Sequence, residues 1–306
     1  MRSIIAAALA GATLVATPVL AQDGTYSAPA DAPMATTADT STTMAETTAD
    51  APFAGIYAGG SFGFAAQPND AGSSILFDRN LDGRFGDTVT LANTGANAFS
   101  PGFCNGRATG NISPAIGGRG CRKDKDGIEY YGRLGIDSQQ GNIVFGVVGE
   151  FGKPEIRDSV TAFSTTPAFY TMNRTVDWEA SIRGRIGFAV DTTLFYGAFG
   201  PGYAKIDRSF QTGNLVNAFA GRGDRQQWGI TGGGGIEQKI GKNFSIGLEY
   251  MYHQYQDDDY RIDVTRGSAP LNNPFVLAPN TTGTTFRRSD DMFRWHSMRV
   301  TAGFRF

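Results

Sequence analysis

The chain has 306 residues, a formal net charge of −2, 41 glycines and 22 phenylalanines. A charge this close to balance argues against nucleic acid as a partner. Beyond the N-terminus there is no run of about 18 apolar residues, which excludes a helical membrane span.

The first residues have the form of a secretory signal over 1–21. Met1-Arg2 supplies the positive start, Ile4 to Leu20 an apolar alanine-rich stretch, and Val19-Leu20-Ala21 a small-residue cleavage site before Gln22. Residues 22–50 are built from Ala, Thr, Ser, Asp and Pro. They cannot bury enough apolar surface to fold alone, and they read as a disordered periplasmic segment.

From residue 51 onward the chain alternates apolar and polar side chains in segments of ten or so residues. The first is Gly55–Ala66, with Ile56, Ala58, Phe62 and Phe64 on one face. The second is Ile128–Asp137, where Ile128, Tyr130, Leu134 and Ile136 oppose Glu129, Tyr131, Arg133 and Asp137. The third starts near Ile143. The fourth, Val176–Val190, sets Trp178, Ala180, Ile182, Ile186 and Phe188 against Glu179, Ser181, Arg183 and Arg185. Leu194–Phe210, Gln226–Lys239, Phe244–Gln256 and Met292–Phe306 complete the set. Connections alternate between tight turns (Ser138–Asn142, Asp191–Thr193, Gly241–Asn243) and long ones (Gln67–Asp126, Asp158–Asn173, Gln211–Asp224, Asp258–Asp291).

Nothing in this pattern offers a second packing layer, so the apolar faces are expected to meet lipid and the polar faces a lumen. The expectation is an all-β fold over 51–306: an eight-stranded antiparallel up-and-down transmembrane barrel. It has short periplasmic turns and long extracellular loops, the first of them spanning 67–126. A signal plus strand spans places the chain in a Gram-negative outer membrane, because only a closed barrel satisfies backbone groups there without helices. Its partners would be outer-membrane lipids and the barrel assembly machinery. An extracellular ligand is not named by the sequence.

Two stretches carry a resemblance. Phe53-Ala-Gly-Ile-Tyr-Ala-Gly-Gly-Ser-Phe-Gly-Phe64 and Met298-Arg-Val-Thr-Ala-Gly-Phe-Arg-Phe306 resemble the small eight-stranded outer-membrane barrels of the opacity-protein and OmpX type, especially their alphaproteobacterial "porin family" members. The resemblance covers about residues 53–306 without the long loops. It implies the barrel fold and a structural or adhesive role.

Several residues invite a chemical reading. The lumen face holds Glu129, Arg133, Asp137, Glu150, Glu179, Arg183, Arg185, Glu237, Glu249, Arg299 and Arg305. An eight-stranded barrel is filled by its own side chains, so these charges read as a plug of ion pairs, or as a gate that passes small ions. Cys104 and Cys121 share the first loop in an oxidising compartment and are expected to form a disulfide. Asp78, Asn80 and Asp82 followed by Gly83, with Arg84 and Asp87 beyond, have the spacing of a calcium loop. The alternative is a hairpin with an Asp-Gly turn. No other cofactor is indicated. Asp257-Asp258-Asp259 and Asp290-Asp291 read as a solvated face. Trp178, Trp228 and Trp295 lie near the outer ends of strands and are expected in an interfacial aromatic belt. Phe306 is expected to close the ring.

The leading functional reading is a non-enzymatic barrel with an envelope and surface-interaction role. A narrow pore or small-solute transporter is the second. The third is a lipid-modifying enzyme using His253, placed inward, with Asp257 and a loop serine; no catalytic residue is assigned.

Overall fold

The structure is a computed structural model and describes residues 51–68, 73–113 and 120–306. The signal at 1–21 and the segment at 22–50 lie outside the described residues.

Eight strands form the wall: β1 Gly55–Ala66, β2 Gly127–Gln140, β3 Ile143–Pro154, β4 Ala168–Val190, β5 Thr193–Thr212, β6 Gln226–Ile240, β7 Phe244–Gln256 and β8 Met292–Arg305. Each pairs antiparallel with its neighbours in sequence, and β1 pairs with β8, so the sheet closes on itself. Closure leaves no edge with unpaired N–H and C=O groups, a requirement in hydrocarbon. The last residue contributes to it: the Phe306 N–H donates to the Ile56 carbonyl at 2.9 Å.

The alternation sets which face each side chain takes. Ile56, Phe62, Leu134, Phe151, Ile182, Ile186, Phe199 and Val300 are exposed on the outer wall, while their polar neighbours are buried inside. The interior is crowded enough to dictate glycine. A Cβ on Gly135 would stand 2.3 Å from the Tyr57 ring, which fills that space. On the side of the short turns the chain uses left-handed conformations at Gly141, Asp191 and Gly241.

The long connections depart from the expectation. They are not separate loops but build a second layer above the barrel. The strands Ala218–Arg222, Arg261–Thr265, Thr284–Arg288 and Ile75–Asp78 form a four-stranded antiparallel sheet in that order. The stretch expected as a loop over Asp158–Asn173 is a hairpin: Arg157–Ser164 pairs with the upper part of β4. Phe103–Asn105 adds to that hairpin's free side. Between hairpin and small sheet lies a hydrophobic core that includes Phe77, Phe99, Tyr170, Met172, Phe275 and Phe286. The rings touch at centroid distances such as 4.4 Å for Phe77–Phe99 and 5.2 Å for Phe99–Tyr170. The apolar residues of the outer loops alternate as strands do, but they face one another instead of lipid.

This layer has its own core, so it should fail separately from the wall. Phe99→Ala is expected to cost about 3–5 kcal/mol within the cap. Limited proteolysis of the outer loops should accelerate, while heat-modifiable migration on gels, which reports the barrel, stays unchanged. Loss of both together would mean that cap and wall are one cooperative unit.

Candidate functional site: the lumen and its outer cap

The inward positions of neighbouring strands meet at fixed heights, and the lumen is stacked in tiers. Nearest the short turns lie Phe53, Val144, Ala189, Leu194 and Tyr196. The Phe53 N–H donates to Gln139 Oε1 at 2.9 Å and its carbonyl accepts from Arg305. Next comes an ionic group. Asp137 Oδ2 is 2.9 Å from Arg185 and 3.0 Å from Arg305, and Glu237 contacts both arginines. The Arg185 guanidinium lies over the Tyr196 ring at 3.9 Å and that of Arg305 over Tyr57 at 4.6 Å.

The middle tier centres on Glu150. It meets Arg183 at 2.7 Å, Arg299 at 2.8 Å and Arg133 at 3.3 Å. Glu249 completes the group, 2.7 Å from Arg299 and 3.4 Å from Arg133, and accepts from the Tyr196 hydroxyl at 3.0 Å. All of these side chains are almost fully buried. Charges removed from water this completely persist only when paired and hydrogen-bonded.

Above it Glu179 takes three partners: Tyr131 and Tyr255 hydroxyls at 2.7 Å and His253 Nδ1 at 2.8 Å. Glu129 accepts from the Ser297 hydroxyl at 2.8 Å. Trp295 stacks on His253 with centroids 4.8 Å apart and planes 7° from parallel, and Tyr255 stacks behind it. Trp295 therefore does not join the aromatic belt. It is buried in the lumen, as its alternation phase requires, although its height along the strand suggested an interfacial role. Trp178 and Trp228 do sit on the outer wall, in a row of rings running Phe151, Trp178, Tyr203, Trp228. His296 is on the wall too, with Nδ1 2.6 Å from the Tyr250 hydroxyl.

A cluster of Ala65, Ile156, Val176, Ala204, Ile206, Tyr255, Phe293 and Trp295 covers the outer end of the lumen. Over it lies a third ionic group, which the sequence reading missed. Arg174 is fully enclosed and donates to Asp158 (2.5 Å), Asp257 (2.9 Å) and Asp290 (2.8 Å). Arg208 bonds Asp257 at 2.6 Å and Asp259 at 3.1 Å, and Arg288 bonds Asp158 at 2.8 Å. The aspartates at the ends of the last loop are thus not simply a solvated face: Asp257 is buried and Asp290 is tied to Arg174. The signal lay in three arginines in the outer parts of strands facing those acids, but their partners are up to 130 residues away.

His253 is bonded to Glu179, and Asp257 is held by two arginines, so the hydrolase arrangement of His253, Asp257 and a serine is not assembled. In the first loop Cys104 and Cys121 are joined, with Cα atoms 6.2 Å apart. The turn over Asp78–Asp87 closes on its own donors. Asp78 accepts from the N–H groups of Asp82 and Gly83, Asn80 from that of Asp82, Asp82 from that of Arg84, and Asp87 from those of Arg79 and Asn80. Among the described residues no three His, Cys, Asp or Glu side chains converge as a metal site.

An eight-stranded closed wall with an apolar outside, charged inside and elaborated loops at one end is the architecture of a small outer-membrane barrel. The sequence agrees. Residues 35–268 match the family model of the outer membrane protein beta-barrel domain, and the chain belongs to that family. It is 30% identical over 129 residues to a 22 kDa outer membrane protein of Rhizobium leguminosarum, covering 42% of this chain and 53% of that protein. It is 32% identical over 78 residues to a 31 kDa outer-membrane immunogenic protein of Brucella melitensis, covering 25% and 32%. The chain therefore spans about half or less of the length of these relatives. Among solved structures, Ail of Yersinia pestis, crystallised with the heparin analogue sucrose octasulfate, aligns over 82% of this chain and 99% of its own. Identity there is 13% and the TM-score 0.31, too distant a likeness to bear on ligands. The protein is an outer-membrane β-barrel of the Gram-negative envelope.

The middle tier yields a test. Glu150→Gln keeps shape and removes the charge on which three arginines converge. It should cost about 3–5 kcal/mol, seen as a lower urea midpoint for loss of the heat-modifiable band. Adding Arg183→Met restores the tier's charge balance and should recover much of that loss.

Proposed function

We propose that this protein is a closed, non-enzymatic barrel that holds a rigid, loop-built head on the cell surface, for envelope integrity and surface contact. The observation that carries this reading is the head's own hydrophobic core, to which three of the outer connections and the upper part of β4 contribute and against which Phe219 of the remaining one packs. Chain segments that only joined strands would not need one. Buried aromatic side chains contribute about 1.5–3 kcal/mol each, and here they hold a surface in one shape. Shape persistence is what recognition by an external partner requires, since it lowers the ordering cost of binding.

The lumen supports a plug rather than a path. Two ionic groups lie between the apolar clusters at its two ends, a third ionic group lies over the outer cluster, and an ion would have to displace paired charges at several levels in turn. Enzymatic use of the outer mouth finds no support in the chemistry there, because the His253 ring is sealed between Trp295 and Tyr131. Outer-membrane lipids would contact the aromatic row and the apolar wall, and the assembly machinery would insert the chain.

Purified protein in planar bilayers is the deciding experiment. No stable conductance steps are expected at neutral pH. Regular, long-lived steps would overturn the plug and favour a narrow pore.

A further inference from the structure

The disulfide-bearing arm of the first outer connection is stitched to the hairpin of the second. Phe103–Asn105 pairs with Val160–Ala162, the Gly106 N–H donates to the Ser159 carbonyl at 2.7 Å, and the Thr161 hydroxyl donates back to the Gly106 carbonyl at 2.8 Å. Cys121–Arg122 folds onto Arg107–Ala108 and is bound through Cys121 to Cys104. The arm's far end returns to the hairpin at an antiparallel bridge, where Lys125 and Arg157 exchange N–H···O bonds of 3.2 Å. An antiparallel bridge at 125 and 157 sets residue 124 opposite residue 158. Both are aspartates, and like charges directly opposed across a strand pair are destabilising.

Their surroundings sharpen the conflict. Asp158 belongs to the outer ionic group, in which Arg174, Arg208 and Arg288 already face Asp158, Asp257, Asp259 and Asp290. Asp124 adds a further acid to a group already short of positive charge. The nearest cations on its own segment, Lys123 and Lys125, are exposed, as is Arg157 on the hairpin; on strands, residues next in sequence point to the opposite face. Among the described residues, Ser159 also hydrogen-bonds Asp124. Asp158 Oδ2 takes both arginine bonds, whereas its Oδ1 is buried and receives no hydrogen bond. A buried carboxylate oxygen without a donor is costly.

We infer that Asp124 and Asp158 share one proton, carried by Asp124 and donated to Asp158 Oδ1, and that this bond latches the disulfide arm to the second outer hairpin. The electrostatics support that placement. Burial, with the Asp158 charge behind it, pushes the Asp124 carboxyl up to about 7. Burial would also raise Asp158, but the Arg174 and Arg288 guanidiniums overcome it and hold that carboxyl well below the usual carboxylate range. Asp124 thus binds its proton more tightly in the docked arm than in a released one, where an ordinary value near 3.8 applies. Docking strength is full below about pH 4, falls as pH rises toward about 7, and is level above it. The slope is at most about tenfold per pH unit, reduced by solvent screening because Asp124 is only partly buried.

The test is hydrogen exchange on the full, oxidised chain in lipid nanodiscs, corrected for intrinsic chemical rates. Amides 104–108 and 157–161 of the wild type should lose protection tenfold or more between pH 5 and pH 8, with strands β6 and β7 unchanged. Asp124→Asn, which keeps a donor and cannot ionise, should stay protected at both. Asp124→Ala, with neither donor nor charge, should be independent of pH but less protected than Asp124→Asn at pH 5. A wild type indifferent to pH, or an Asp124→Asn variant that keeps the wild-type response, would overturn the shared proton. Equal protection in the Ala and Asn variants would overturn the latching bond.

Discussion

Everything in this molecule follows from closing a sheet at eight strands. The closed ladder satisfies the backbone in hydrocarbon, and with that number the interior is only wide enough for side chains. Each inward charge must then find its counter-charge among a few neighbours at the same height. Glu150 shows the result: three strands other than its own, β2, β4 and β8, send it an arginine. The register of the wall and the pairing of the lumen therefore specify one another. A slip of one residue on any strand would turn its charges toward lipid and its apolar side chains inward.

The same rule, applied above the membrane, produces the head. There the strands β4 and β5 continue past the level of the Trp178 and Trp228 rings, and no lipid remains to cover an apolar face. Loop residues such as Phe77, Phe99 and Phe286 supply the cover instead. Between head and lumen, charge is again confined, now by apolar clusters on both sides. Arg174 spans that junction: it bonds the hairpin through Asp158 and both ends of the last connection through Asp257 and Asp290, and its guanidinium rests 4.6 Å from the centre of the Phe293 ring.

Alternation made the wall readable from sequence. Strand phase alone put Glu129, Arg133, Glu179, Arg183, Glu249, Arg299 and His253 on the side where the structure has them. It also contained the right answer for Trp295, which the argument from height along the strand obscured. The head was not readable, for a physical reason. Period-two patterning reports that one face is apolar without saying what meets it. The strands of the small sheet are only 4 or 5 residues long, and partners such as Ile75–Asp78 and Thr284–Arg288 are far apart in the chain. Composition misled at Asp257 and Asp290, because runs of aspartate look solvated until the arginines from other strands are placed beside them.

The order of the small sheet has a consequence for biogenesis. Its outermost pairing joins the strand that follows β1 to the strand that precedes β8, with Ser74 and Ser289 bonded at the margin. Contacts of such long sequence separation form late, because the loop-closure entropy must be met first. The head can be completed only when both ends of the barrel have been delivered and brought side by side. A cell-surface probe that recognised the joined edge of residues 75–78 and 284–288 would therefore count finished barrels and ignore every partially threaded chain.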